Sequence, residues 1–343
     1  MRILLIGGNG FIGSPLTKKL LESGHELALF HRRPQVPAAK RVLNIQGDRN
    51  RLADYSAQIE QFSPDFIIDL ILSSGEQARQ LMSVANGIVA RVIALSSMDV
   101  YRAWGIVQER EQGPLELLPI TEESPLRTAR NLYPAETIKM MQNSFSWLDE
   151  DYDKIAVEDE IMGSHAVSGT VIRLPMVFGP GDPLHRFFPL LKRHADRRSS
   201  ILFADDLAAW RGPRGYVENV AHAIALAAIS DRARRRIYNV CQEPTFTELE
   251  WQKKIAERLN WEAKFVVLPK EETPKHLLQP GNAAQHLVVS SERIRSELGF
   301  EEPVELNEAI RRTIAWEQKN PPSRINSQQF DYDAEDAALA AHV

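Results

Sequence analysis

The chain has 343 residues and a formal net charge of −5 at pH 7, with 43% hydrophobic and 25% charged residues, 18 glycines and 20 prolines. That composition excludes disordered, collagen-like and disulfide-scaffold classes, and the length suits two modest domains or one large α/β domain with an appendage. Cys241 is the only cysteine, so there is no internal disulfide and no cysteine-rich zinc site, and the acidic balance offers no global basic field to a polyanion.

The first apolar run, residues 3–6, ends at Gly7 and is too short for a signal-peptide core. No window approaches the roughly 20 apolar residues of a membrane span, so a cytoplasmic protein is expected. Apolar runs predict strands at 2–6, 26–30, 41–45, 65–71 and 89–96, with helical spacing at 14–23, 51–61 and 76–86 between them. Strands alternating with helices build a doubly wound parallel sheet covered on both faces. Residues 102–148 break the rhythm. They are rich in Glu, Pro and Trp, with one helix expected at 137–148, and a connection that long is usually a functional lid or disordered. Beyond it the pattern predicts helices at 153–165, 185–194, 217–229 and 248–261, and strands at 170–178 and 236–241. Residues 321–343 are polar and acidic with no apolar face, which reads as a loose tail or an arm laid on a partner subunit. The expected organisation is a dinucleotide-type domain over 1–175 and a smaller α/β domain over 176–320, some of it returning to the first sheet.

Between the first strand and the first helix stand Gly7, Gly8, Asn9, Gly10, Phe11, Ile12 and Gly13. A strand feeding a helix through such a turn aims backbone N–H groups and the helix N-terminus at a pyrophosphate, and the glycines let it approach the backbone. Strand, glycines and helix in this order point to dinucleotide binding. An acidic residue at the end of the second strand would take the ribose 2′-hydroxyl of NAD(H). Here the strand ends in His31, Arg32 and Arg33, with no carboxylate, which favours NADP(H) over NAD(H) through an Arg32 contact to the 2′-phosphate. The competing view is that both arginines are solvated surface charges.

A set of segments in fixed order carries a family resemblance: IGGNGFIGSPL (6–16), GD (47–48), ALSSMDVY (94–101), ITEESPL (120–126), RLPMVFGPGD (173–182), RGYVENVAHAI (214–224), RIYNVCQEPTFTELE (236–250) and LGFEEPVELNEAIRRTIAWE (298–317). Over about residues 1–320 the chain resembles the extended short-chain dehydrogenases, the NAD-dependent epimerase/dehydratase family. The resemblance implies a Rossmann domain with a smaller C-terminal substrate domain, and a small-molecule substrate that is phosphorylated or nucleotide-linked, typically a nucleotide sugar. A homodimer is compatible with it. Carried over by position, Gly7, Gly10, Phe11, Ile12 and Gly13 would hold the pyrophosphate and Asp48 would face the adenine. Leu70 to Leu72 would line the route to the nicotinamide ribose, Pro175 and its neighbours would flank the carboxamide, and Arg214 would bind a substrate phosphate.

The family chemistry uses a Ser or Thr, a Tyr and a Lys: Tyr as acid/base, Lys to lower its pKa and bind the ribose, Ser to align the substrate oxygen. Ser97 and Lys154 match, but the tyrosine normally stands four residues before the lysine, on the same helical face. Glu150 occupies that position, while Tyr152 is only two residues away and nearly opposite on a helix. Tyr152 serves if it precedes the first helical turn. Otherwise Glu150 supplies a carboxylate, Tyr133 reaches across from its own segment, or the acid is lost. The nine histidines form no i, i+4 pair with a carboxylate partner, so no metal site is expected. The irregular spacing also favours an alternative: a catalytically degenerate dinucleotide sensor or RNA-binding protein, similar to chloroplast stem-loop binding proteins. The net charge of −5 opposes nucleic acid as a partner.

Overall fold

The computed structural model describes residues 1–32, 41–130 and 132–342. Arg33, one of the two basic residues expected at the end of the second strand, lies outside the described residues. Among the described residues eleven strands form: β1 (Arg2–Ile6), β2 (Glu26–His31), β3 (Val42–Gln46), β4 (Phe66–Asp69), β5 (Arg91–Ser97), β6 (Ser168–Leu174), β7 (Met176–Phe178), β8 (Ser200–Ala204), β9 (Arg214–Tyr216), β10 (Arg236–Asn239) and β11 (Lys264–Leu268).

Seven of them make one parallel sheet in the order β10-β6-β5-β4-β1-β2-β3. A parallel sheet must be covered on both faces, and β1 does this by alternation. Ile3 and Leu5 enter a core shared with Leu16 and Leu20 of helix Gly13–Glu22 and with helix Val217–Ile229. Leu4 and Ile6 point the other way, into a core with Leu81 of helix Gly75–Ala85 and Ile161 of helix Lys154–Gly163. The strand order reverses between β1 and β4, and in such sheets ligands bind outside the carboxyl ends at that switch point.

The run expected as one strand over 170–178 is two. Pro175 has no N–H to continue the ladder, and β7 leaves the large sheet to pair with β9. A second small pair, β8 with β11, completes the C-terminal part. The long connection carries helices Arg102–Val107 and Ala135–Ser144 and is stitched to the body: Ile120 N–H donates to the Val288 carbonyl at 2.8 Å, and Ser290 N–H to the Ile120 carbonyl at 2.8 Å.

The C-terminal segment departs from the loose tail or arm that its lack of an apolar face suggested. Helix Tyr332–Ala341 docks on helix Phe188–Ala195 of the same chain. The attachment is polar: fully buried Glu335 pairs with Arg193 at 2.6 Å and meets His276 Nε2 at 3.0 Å. Phe330 packs edge-on to Phe188 and lies under the Arg193 guanidinium. Among the described residues no helix is long and apolar enough to cross a membrane.

Candidate active site

The glycine turn sits at the end of β1. Gly7 has φ +84°, and a Cβ there would stand 2.7 Å from Ile71 Cγ2; one on Gly13 would stand 2.2 Å from the Gly7 carbonyl oxygen. Those positions are closed by the fold itself. Gly10 is different: a Cβ there meets only the Gly7 carbonyl, at 3.4 Å. Gly7, Asn9 and Gly10 line a cavity of about 530 Å³. Phe11 and Ile12 turn their side chains against the core and are not among the residues that line the cavity.

Across the cavity, Asp48 caps the following turn by accepting the Asn50 N–H at 3.0 Å, and it lines the wall. Leu70 is buried in the core, and its neighbour Ile71 is the residue that faces the cavity. Arg32 lies at the rim, where Nη2 donates to Ser146 Oγ at 2.8 Å and to the Ser146 carbonyl at 3.0 Å. Ser146 belongs to the end of the long connection, where Gln142, Ser146, Trp147 and Leu148, with Asp149 and Glu150 just beyond it, make one wall of the cavity. The end of the connection thus covers one side of the cleft, while Trp104, Val107 and Gln108 at its start line a second cavity. The size of the cavity, the open Gly10 and an unpartnered buried Asn9 Nδ2 suit a bound dinucleotide.

At the carboxyl end of β5, Ser97 Oγ accepts the Asp99 N–H at 3.1 Å. Lys154 opens its helix, and Asp153 before it is extended, with φ −151° and ψ 105°, its carboxylate capping the Ile155 N–H at 3.1 Å. Tyr152 thus precedes the helix, and along an extended stretch residues two apart share a side rather than oppose each other. The Lys154 ammonium lies 5.9 Å from the centre of the Tyr152 ring and donates to the carbonyls of Leu72 and of Leu95, the latter at 3.2 Å. Burial lowers its pKa to about 8 against the pull of Asp99 and Asp69. The Tyr152 hydroxyl donates to Asp99 Oδ2 at 2.7 Å, and Tyr133 approaches the same oxygen at 3.5 Å. Burial, and then the facing carboxylate, hold the Tyr152 phenol well above its usual range. Glu150 is exposed at the rim of the first cavity and forms no hydrogen bond to this cluster.

Sequence reasoning missed Asp99 and Arg127. Buried Arg127 holds the Asp99 carbonyl at 2.9 Å and Asp153 Oδ1 at 3.0 Å, so one guanidinium ties the β5 turn to the helix that carries Lys154. The only sequence sign was an aspartate inside SSMDVY, where nothing local calls for a charge.

The second cavity, of about 570 Å³, is lined by Met176, Trp210, Arg214 and Trp251 among others. Pro175 packs on Gly215 next to it. Arg214 is ion-paired with Glu248, and Arg186 with Asp182 at 2.6 Å. Among the described residues no group of three or more His, Cys, Asp or Glu side chains is arranged to hold a metal ion.

A doubly wound sheet with a glycine cradle at its switch point and a Ser, Tyr and Lys beyond β4 and β5 defines a dinucleotide-binding α/β protein of the short-chain type. Residues 3–241 match the model of the NAD dependent epimerase/dehydratase family, and the chain belongs to that family. It is 25% identical over 338 residues to UDP-glucose 4-epimerase of Corynebacterium glutamicum, covering 88% of this chain and 90% of that one. Among solved structures it resembles the UDP-glucose 4-epimerase of Thermotoga maritima with UDP-glucose (TM-score 0.66, 18% identity, 94% of this chain and 100% of that one). It likewise resembles the dTDP-glucose 4,6-dehydratase of Bacillus anthracis in complex with NAD (TM-score 0.67, 15% identity, 93% and 97%).

Proposed function

We propose that this protein is an NAD(P)-dependent oxidoreductase, epimerase or dehydratase acting on a hydroxyl- or keto-bearing carbon of a nucleotide-sugar-like or other phosphorylated substrate. The observation that carries the reading is Lys154 bonded to the carbonyls of both Leu72 and Leu95. Those bonds fix the Tyr152–Lys154 segment at the carboxyl edge of β4 and β5, beside the glycine cradle of β1. A nicotinamide bound there supplies hydride acceptance and donation. The remaining work falls to side chains. Ser97 orients the substrate oxygen, and Tyr152 exchanges its proton. Lys154, mostly charged at neutral pH, favours negative charge developing on that oxygen. Arg32 at the end of β2, with no carboxylate beside it, supports NADP(H) over NAD(H). Arg214 is the residue for a substrate phosphate, and the Corynebacterium relative supports a nucleotide-linked sugar as that substrate.

Calorimetric titration with NAD⁺, NADH, NADP⁺ and NADPH tests the reading, on the wild type and on Gly10→Ala. The added methyl has room in the fold but enters the cradle. The expected result is dinucleotide binding that Gly10→Ala weakens at least about tenfold with thermal stability unchanged. Absence of binding by the wild type would overturn the enzyme reading and leave the degenerate sensor or RNA-binding protein. Where binding is found, a screen of nucleotide sugars for hydride transfer separates enzyme from sensor.

A further inference from the structure

The polar contacts of the site converge on Asp99, a residue that the family's Ser, Tyr and Lys scheme does not require. It lies on the short turn Met98–Val100 after β5, with its side chain almost fully buried. Its backbone is fixed from both sides: its N–H donates to Ser97 Oγ at 3.1 Å, and its carbonyl accepts Arg127 Nε at 2.9 Å. The carboxylate therefore has a set position. Oδ2 accepts the Tyr152 hydroxyl at 2.7 Å, whereas buried Oδ1 has no hydrogen-bond partner. Tyr133, whose oxygen already accepts the Trp104 indole N–H at 3.0 Å, approaches the same Oδ2 at 3.5 Å.

We propose that Asp99 is the proton partner of Tyr152, so that the acid/base unit of this enzyme is a tyrosine–aspartate relay. The proposal rests on the hydride-transfer reading above. In the oxidative direction the substrate O–H bond breaks as a new bond forms between that proton and Tyr152 Oη. The phenolic proton passes at the same time to Asp99 Oδ2. The carbinol C–H bond breaks, and its hydrogen and electron pair go to the oxidised nicotinamide. The products are the carbonyl compound, the reduced dinucleotide and a neutral Asp99 carboxyl. Reduction runs the same steps backwards.

The physical reason is charge. A phenol that donates to a carboxylate 2.7 Å away cannot ionise first, because two anions would then share one buried site. It can take a proton from substrate only by giving up its own. The groups that face Asp99 are Tyr152, Tyr133, Arg127, Lys154 and Asp153. Burial pushes the Asp99 carboxyl up, and the Tyr152 hydrogen bond, Arg127 and Lys154 pull it back. A carboxyl raised from its usual range in this way is suited to hold a proton in passing. Asp99 meets neither substrate nor nicotinamide in this scheme and acts on them only through the proton it exchanges with Tyr152.

The test uses the full chain with Asp99→Asn, Asp99→Glu and Tyr152→Phe. Ultraviolet difference titration of the protein without cofactor identifies the Tyr152 ionisation as the one lost in Tyr152→Phe. The expected result is that Asp99→Asn makes this phenol at least about tenfold more acidic and that Asp99→Glu restores it. An unchanged ionisation overturns the proposal. In turnover, Asp99→Asn is expected to lower kcat by roughly 10²-fold or more with KM kept, and to remove the acid limb of the pH profile. An unchanged kcat overturns it too. Should Asp99→Asn not fold, the wild type carries the test: the ring-carbon NMR shift of labelled Tyr152 either follows the titration of Asp99 or, by failing to, overturns the relay. Failure of the wild type to bind any dinucleotide overturns the hydride-transfer reading instead, and the tyrosine titration still reports on the Asp99–Tyr152 pair.

Discussion

The Arg214 guanidinium is ion-paired with Glu248 and lies over the Trp251 ring, 4.8 Å from its centre. A cation so held at the wall of the second cavity meets an incoming phosphate only in competition with Glu248. Glu248→Gln is therefore expected to tighten binding of a nucleoside diphosphate several-fold, and Arg214→Ala to weaken it at least about tenfold. Calorimetry with UDP and with a UDP-sugar measures both. If Glu248→Gln and Arg214→Ala weaken binding alike, the pair acts as one structural unit and the phosphate lies elsewhere.

Arg32 links the rim of β2 to Ser146 in the cover over the dinucleotide cavity, and both bonds to Ser146 run through Nη2. Removing this side chain takes away the proposed 2′-phosphate partner and one tie of the cover together. Ser146→Ala removes the Oγ part of the tie alone. Arg32→Ala is expected to raise the Kd for NADPH at least about tenfold while NADH changes little, and Ser146→Ala to affect both cofactors equally and mildly. Equal losses for both cofactors in Arg32→Ala would assign the arginine to the cover and remove the argument for NADP(H).

The large sheet was legible because parallel strands buried on both faces read as unbroken apolar runs, and β1, β2, β4 and β5 do so in the sequence. The small strands were not. Arg214–Tyr216 is three residues long, and Lys264–Leu268 is only partly buried, so neither has the length or the apolar density to stand out. The glycine turn, Ser97 and Lys154 carried local signals, and Asp99 carried none. Its partners Arg127 and Tyr152 are 28 and 53 residues away in the chain and meet it only through the folded connection. The C-terminal helix hid for a related reason. It docks through an ion pair and cation–ring contacts, which leave no apolar stripe to read.

That docking makes the C-terminal helix sensitive to one residue. Glu335 is fully buried and meets Arg193, His276 and the edge of Arg198. Glu335→Ala strands the nearly buried Arg193 cation, and breaking such a pair from one side costs about 3–5 kcal/mol. The expected outcome is a lower thermal midpoint, with helix Tyr332–Ala341 open to limited proteolysis under conditions where the wild type resists. Deletion of residues 331–343 should destabilise by a similar amount. A silent Glu335→Ala would mean that Phe330 against Phe188 holds the segment on its own.

The lowered pKa of Lys154 predicts a dependence of stability on pH whose sign follows from proton linkage. The folded value is about 8 and the ordinary value 10.5, so between these limits the unfolded chain binds more protons at this residue than the folded one. Stability contributed by Lys154 therefore rises as pH increases from about 8 towards 10.5, and below about 8 folding bears the full cost of burying the ammonium. Lys154→Met removes that cost while keeping most of the buried stem, although the Leu72 and Leu95 carbonyls lose their donor. Tyrosines held above their usual range act in the opposite direction near pH 10, so the comparison between the two proteins matters more than either curve alone. Urea midpoints at pH 7 and pH 9.5 should show the wild type gaining on Lys154→Met as the pH is raised. A constant difference between the two would mean that Lys154 keeps its proton in the folded and the unfolded chain alike up to pH 9.5, so that burial does not lower its pKa.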